Sequence, residues 1–331
     1  MNETTTNGKK SYSKIGWTYF IFTIVVSVLQ MIVLYGGPEL FPQLGTTNAQ
    51  MVLSTGTMYV TGMIVLNLCF KGFHLQPYTL EKKNMSVGSF FKAFLMCYAL
   101  LIISNLLGTF VTTFIGKLKG EALINPVEQL ALNMSMPVLL LVTVVGAPIF
   151  EELFFRKFLL DRTVRYGELV SIVISGFMFG LFHGNLSQFP YAFALGAFFA
   201  MIYIRTGKIG YTMLLHAIIN FMASIASVIV LKAVDLDMFD NLLYSTTPEE
   251  ILSAFTMEGI MGMGVLLIYE LAVLILVIVG VILWILEAKK FFFKPKEEQI
   301  PNGKGFSVSL LNGGMIAYTI LWTISIIFAT I

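Results

Sequence analysis

The sequence predicts an all-α fold, a polytopic transmembrane helical bundle of about eight or nine membrane spans. Composition says so first: 57% of the 331 residues are hydrophobic and only 12% charged, against roughly 45–50% and about 25% in a soluble domain. Mean hydropathy agrees, at +0.83. Runs of the ~20 apolar residues needed to cross a hydrocarbon core also recur along the whole chain. So few charges cannot clothe a water-facing surface of this size, which excludes an ordinary soluble enzyme, a nucleic-acid binder and a disordered chain. A net charge of +2 implies no polyanionic partner.

Read in order, the chain opens on a polar stretch, MNETTTNGKKSYSK. The apolar run behind it, 15–35, has no small-residue cleavage site and reads as a retained first helix. Further runs fall at 50–70, 89–115, 134–160, 170–186, 189–205, 210–231, 260–287 and 307–330. Spans 170–186 and 189–205 are short, and their charge-poor join at Asn185–Pro190 suits a tight or partly embedded hairpin. Lysines and arginines alternate between the joins. Lys9, Lys10 and Lys14 precede span one, and Lys71, Lys82, Lys83 and Lys92 surround the second join. The third join, around Lys117, Lys119, Glu121 and Glu128, is balanced. Arg156, Lys157, Arg162 and Arg165 follow span four, Arg205 and Lys208 span six, and Lys289, Lys290, Lys294 and Lys296 span eight. The loop after span seven is acidic, with Asp235, Asp237, Asp240, Glu249, Glu250 and Glu258. By the positive-inside rule the N-terminus is cytoplasmic and the C-terminus outside.

Two segments, 71–88 (Phe73, Leu75, Tyr78) and 236–258 (Met238, Phe239, Leu242, Leu243, Tyr244), read either as solvated connectors or as interfacial stretches. Cys69 and Cys97 lie in apolar runs and read as small core residues, with no disulfide framework. The chain divides into N-terminal spans with a basic loop (1–133), a central core (134–231), and an acidic loop with C-terminal spans (232–331).

Ionisable groups inside a bilayer cost roughly 2.5–3.5 kcal/mol each on insertion scales, so those present need a reason. Glu151 and Glu152 lie in span four, His183 in span five, and His216 with Asn220 in span seven. In GAPIFEELFFRKF, Glu152 and Arg156 share a helix face and suit an ion pair. Glu151, rotated about 100°, points elsewhere. Pro148, one turn earlier, kinks or opens the helix. Phe179 and His183 share a face, as do His216 and Asn220. A rise of 1.5 Å per residue puts Glu151 roughly 15 Å, His183 roughly 20 Å, and His216 and Asn220 roughly 9 and 15 Å from the same membrane side. Taken singly, each residue suits an ion pair, core packing or interhelical hydrogen bonding. Together, at a common depth on three antiparallel spans, they form one candidate site. His74, in the basic loop, reads as solvated or interfacial.

EELFFR at 151–156 matches an EExxxR motif, Phe179–His183 an FxxxH motif and His216–Asn220 an HxxxN motif, in that order on separate spans. Over about 134–225 the chain resembles the CAAX prenyl protease and bacteriocin-processing (Abi, CPBP) family of intramembrane proteases. Lys157 stands where many members carry glycine. The resemblance implies an intramembrane endopeptidase of a bacterial cell membrane. Its substrates would be peptides or lipidated proteins, prenylated CAAX-like or peptide precursors; membrane lipids surround it, and no nucleic acid is involved.

Amide hydrolysis needs an activated water and a stabilised oxyanion. Carried over position by position, the resemblance makes Glu151 the general base, helped by His183. His216 and Asn220 become oxyanion donors, worth on the order of 3 kcal/mol each. Glu152 and Arg156 orient Glu151, and Phe179 shapes the cavity wall. A zinc version uses His183, His216 and Glu151 or Glu152 as ligands with water in the fourth position. There is no HExxH, and Asn220 is a natural oxyanion donor but a poor zinc ligand, which tilts the balance to the metal-free form. The competing functions are a non-catalytic immunity or scaffold protein of the same fold, and a transporter with a proton relay. Against the transporter, the chain shows no duplicated half with paired broken helices.

Overall fold

Each apolar run folds as a helix. The computed structural model describes residues 3–120, 132–234, 238, 244–250, 255–290, 293, 295, 296 and 298–330. The main helices are α1 (Glu3–Leu40), α2 (Thr47–Gly72), α3 (Val87–Lys119), α4 (Met136–Tyr166), α5 (Glu168–Phe182), α6 (Phe189–Thr206), α7 (Ile209–Ala233), α8 (Met257–Glu287) and α9 (Gly313–Thr330). No strand is present among the described residues. Side-chain oxygens of Thr46, Ser86 and Thr256 accept the N–H of Ala49, Ser89 and Gly259, starting α2, α3 and α8.

Eight of these helices are long and apolar enough to cross a membrane. The ninth expected span is α5, and its 15 residues reach about 22 Å, short of a ~30 Å hydrocarbon core. The α5–α6 turn sits inside the bundle, with Asn185 8% and Gln188 7% exposed and Ser187 against Gly108 of α3. The partly embedded hairpin, one of the two expectations for this join, is therefore the observed one. Because α5 leaves from and α6 returns to the same end of the bundle, the short span does not change the end from which later helices start.

That end gathers the basic joins. Segment 73–86 lies across it as a strap. Tyr78 N–H donates to Asp161 O and Lys83 N–H to Thr206 O. Arg162 and Arg165 hold the carbonyls of Leu75 and Gln76, and Leu80 enters a core cluster with Leu160, Val164 and Tyr203. Lys296 pairs with Glu168 at 3.2 Å. Gly207 closes α6 with φ +61, and a Cβ there would stand 2.4 Å from Glu81 O, so turn and strap both require glycine. The strap is thus a packed element, neither a free connector nor a lipid-surface helix. The polar N-terminal stretch is helical too: Thr5, Gly8 and Tyr12 are buried, and Ser11 bonds the Tyr166 hydroxyl at 2.7 Å. Lys119 Nζ reaches Thr330 O at the other end, so the two ends of the described chain lie at opposite ends of the bundle. Glu121, Glu128, Asp235, Asp237, Asp240, Lys294 and, of the 236–258 segment, residues 236, 237, 239–243 and 251–254 lie outside the described residues.

Two cores flank the site. The first is aromatic, with Tyr12, Tyr19, Phe22, Phe70, Phe154, Phe155 and Tyr318 at most 1% exposed. Its hydroxyls tie helices together, Tyr19 to Phe154 O at 2.5 Å and Tyr318 to Met178 O at 2.8 Å. The second core joins α3, α6, α7 and α8 through Met96, Phe198, Phe199 and Leu215, with Trp284 Nε1 donating to Met96 O. Cys97 is buried in it, and both cysteines are free. The outer face carries large exposed residues such as Leu68, Phe110, Leu267 and Ile268, as a lipid-facing surface does.

Candidate active site

The site forms where α4 is widened. Residues Leu140–Gly146 and Leu153–Phe158 are π-helical turns on either side of Ala147–Glu152, and α7 has another at Phe221–Ala226. Pro148 lacks an N–H, and the helix absorbs it by widening rather than breaking, as π turns do. The glutamates occupy the short α-helical piece between the two wide turns.

Glu152 and Arg156 are both 0% exposed. Nη2 donates to Oε1 at 3.0 Å and Nε lies 3.0 Å from Oε2, an ion pair held by one hydrogen bond and one close charge contact. Arg156 Nη1 donates to Ser175 Oγ at 3.2 Å. The guanidinium lies between the rings of Phe179 (4.9 Å) and Phe199 (5.6 Å). The expected ion pair is present, and fully desolvated.

His216 brings α7 to this pair. Its Nδ1 faces Glu152 Oε1 at 3.2 Å, its Nε2 lies 3.9 Å from Glu151 Oε2, and the residue is 5% exposed. A carboxylate accepts, so Nδ1 donates and Nε2 is the atom turned to Glu151. Phe199 stacks on the imidazole at 5.3 Å. Glu151, 9% exposed, has no share of Arg156 by direct contact and lies within electrostatic reach of the Tyr59 and Tyr191 hydroxyls.

His183 caps the inner end of α5. Its Nδ1 donates to Phe179 O at 2.8 Å, which fixes the tautomer and leaves Nε2 as an acceptor. The Phe179 ring meets His183 edge-on at 4.8 Å and His216 at 6.0 Å. At 2% exposure Phe179 is a spacer between the imidazoles and Arg156 rather than an open wall. It fits only because Gly196 faces it on α6, where a Cβ would stand 2.8 Å from the ring. Asn220 turns to α4, donating to Thr143 O at 2.8 Å. One amide hydrogen is thus spent on the Leu140–Gly146 turn, and the other remains for a ligand.

Among the described residues no three His, Cys, Asp or Glu side chains stand close enough together to hold one metal ion. Glu152 is spent on Arg156, and His216 Nδ1 on Glu152. The zinc trio of His183, His216 and a glutamate does not assemble.

Ser175, Thr143, Phe199, Tyr191 and the Asn185–Gln188 pair were missed in the sequence. Ser175 had a signal: Ser171, Ser175, Phe179 and His183 repeat every four residues on one helix face.

Residues 133–222 match the family model described as Rce1-like, type II CAAX prenyl endopeptidase Rce1-like. The match spans α4 to the start of the wide turn in α7 and holds all three motifs. Over those residues the chain is similar to that family, and the eight apolar helices make it an integral, multi-pass membrane protein. No curated protein and no solved structure matches the chain.

Proposed function

From the Rce1-like domain carried by residues 133–222, we propose that the protein is an intramembrane endopeptidase. It hydrolyses peptide bonds of membrane-associated substrates, a prenylated CAAX-like terminus or a peptide precursor, with water activated by glutamate and histidine. The observation that carries the reading is the division of labour between adjacent acids. Glu152 is neutralised by Arg156, while Glu151 is held 3.9 Å from His216 Nε2 without a guanidinium of its own.

In this mechanism Glu151 takes a proton from the attacking water, and His183 Nε2 accepts the second hydrogen bond that aims it. Glu152 accepts from His216 Nδ1 and holds the ring, and His216 acts in its doubly protonated form, so that its Nε2–H donates to the oxygen of the scissile carbonyl. The remaining amide hydrogen of Asn220 adds a donor to that oxygen. Glu151 then returns its proton to the leaving nitrogen. Residues 134–231 act as the catalytic core, with the flanking spans enclosing it. The gathered lysines and arginines support a cytoplasmic strap end, and with it a cytoplasmic N-terminus. The test is cleavage of a farnesylated peptide ending in a CAAX box by purified protein, followed by mass spectrometry. Wild-type protein cleaves and Glu151→Gln falls by about 10²–10⁴-fold with its folding intact. Equal turnover in Glu151→Gln rejects the reading.

A further inference from the structure

The α5–α6 turn carries a polar chain that neither the motifs nor the mechanism above uses. Asn185 Nδ2 donates to His183 O at 3.1 Å and to Gln188 Oε1 at 2.5 Å. Asn185 Oδ1 accepts from Gln188 N and Ser187 Oγ, both at 2.9 Å. With its oxygen held by Asn185, Gln188 turns its Nε2 to the Tyr191 hydroxyl, 2.5 Å away. The direction of each bond follows from the last. Gln188 donates, so the Tyr191 oxygen accepts and its own hydrogen must point elsewhere. No acceptor for that hydrogen is found among the described residues.

The place it points from is informative. Tyr191 packs against both core clusters, at the seam where the site lies. Its ring lies 6.4 Å from the His183 imidazole, nearly perpendicular at 73°. The donors already named at the site are partly engaged elsewhere: His216 Nδ1 is spent on Glu152 and one Asn220 hydrogen on Thr143 O.

We propose that Tyr191 is a further catalytic residue, whose O–H donates a hydrogen bond to the scissile carbonyl oxygen, with Gln188 and Asn185 as positioning residues. This rests on the protease reading. As the water oxygen bonds to the carbonyl carbon, the C=O π pair moves onto oxygen. Tyr191 stabilises that charge and keeps its proton. A half-buried hydroxyl already oriented by the Gln188 amide need not reorganise as the charge develops, which is where such donors are most effective.

The experiment compares Tyr191→Phe, Gln188→Leu and Glu151→Gln on the farnesylated CAAX peptide, with thermal stability measured for each. Tyr191→Phe lowers kcat by about 10²–10³-fold, with KM and melting temperature close to wild type. Gln188→Leu, which leaves the phenol but frees it, lowers kcat by a smaller factor at unchanged KM. A second arm measures binding of a non-cleavable phosphinic analogue, whose anionic oxygen mimics the oxyanion. It binds Tyr191→Phe at least about tenfold more weakly than wild type, while the parent peptide binds both equally. Wild-type kcat and analogue affinity in Tyr191→Phe overturn the proposal. If that variant fails to fold, wild-type kcat in a folded Gln188→Leu overturns it instead. Full turnover in Glu151→Gln overturns the protease reading beneath it, whereas an inactive Glu151→Gln beside a fully active Tyr191→Phe removes only the role of Tyr191.

Discussion

Arg156→Ala is the perturbation whose cost can be worked most directly from the structure. It removes the guanidinium from Glu152, a carboxylate with 0% exposure, and leaves His216 Nδ1 at 3.2 Å as its polar contact on α7. Breaking a buried pair on one side costs about 3–5 kcal/mol, because the other charge stays desolvated. The lost bond to Ser175 and the contacts with Phe179 and Phe199 overlap with that figure and place the outcome toward its upper end. Against a net stability of about 5–15 kcal/mol this is severe, and at about 2–4 °C per kcal/mol it lowers the melting temperature by about 10 °C or more. The double variant Arg156→Met/Glu152→Leu removes both charges together and recovers most of the stability. It still leaves His216 Nδ1 without its carboxylate, so peptide cleavage stays low. Thermal unfolding followed by a thiol-reactive dye reads this out, because Cys97 is free and fully buried. The half-buried Cys69 is replaced by serine beforehand. A melting temperature within about 2 °C of wild type in Arg156→Ala would falsify the structural role. A double variant as unstable as the single one would show that charge is not the origin of the loss.

Gly207→Ala forces a Cβ into the left-handed region at φ +61 and to 2.4 Å from Glu81 O, where the conformation alone costs about 1–2 kcal/mol. The melting temperature falls by several degrees while kcat of the folded fraction holds, and unchanged melting refutes the requirement. Excess EDTA followed by gel filtration leaves cleavage within about twofold of the untreated sample, because among the described residues no three acid, imidazole or thiol side chains stand close enough together to hold a metal ion. A loss that zinc restores contradicts this. Tyr318→Phe removes the buried bond to Met178 O and costs about 1 kcal/mol, seen as a small drop in melting temperature without a change in KM.

Spacing at i, i+4 transmitted much of the site to the sequence. Glu152 with Arg156, Phe179 with His183 and His216 with Asn220 keep their faces because a helix fixes them whatever surrounds it. Long apolar runs transmitted the bundle in the same way. What failed to transmit depends on contacts between elements. Asn220 shares a face with His216, but its amide goes to Thr143 O because Leu140–Gly146 adopts a π turn there. No residue pattern announces a π turn: it is the backbone's response to Pro148 and to the helices packed on it. The strap was equally hidden, since Phe73–Ser86 has the composition of a connector and acquires its order from Asp161, Arg162, Arg165 and Thr206.

The α5–α6 turn shows why polarity alone misleads about depth in a membrane protein. Asn185, Ser187 and Gln188 look like a water-facing loop, yet two of the three are under 10% exposed. The low exposure is tolerable because their amides and hydroxyl satisfy one another and His183 O. Irregular backbone is admissible at membrane depth when it is enclosed by protein, and here α3 encloses it at Gly108. A helix of 15 residues that ends in such a turn places its last side chain inside the bundle rather than at a surface. His183 therefore owes its depth to the shortness of α5. Extending α5 by one turn, about 5.4 Å, would carry the imidazole away from Tyr191 and from the neighbouring Arg156–His216 cluster. Inserting four alanines between Val173 and Ile174 is accordingly expected to abolish cleavage even where the protein still inserts, and retained cleavage would refute the claim that helix length sets the site.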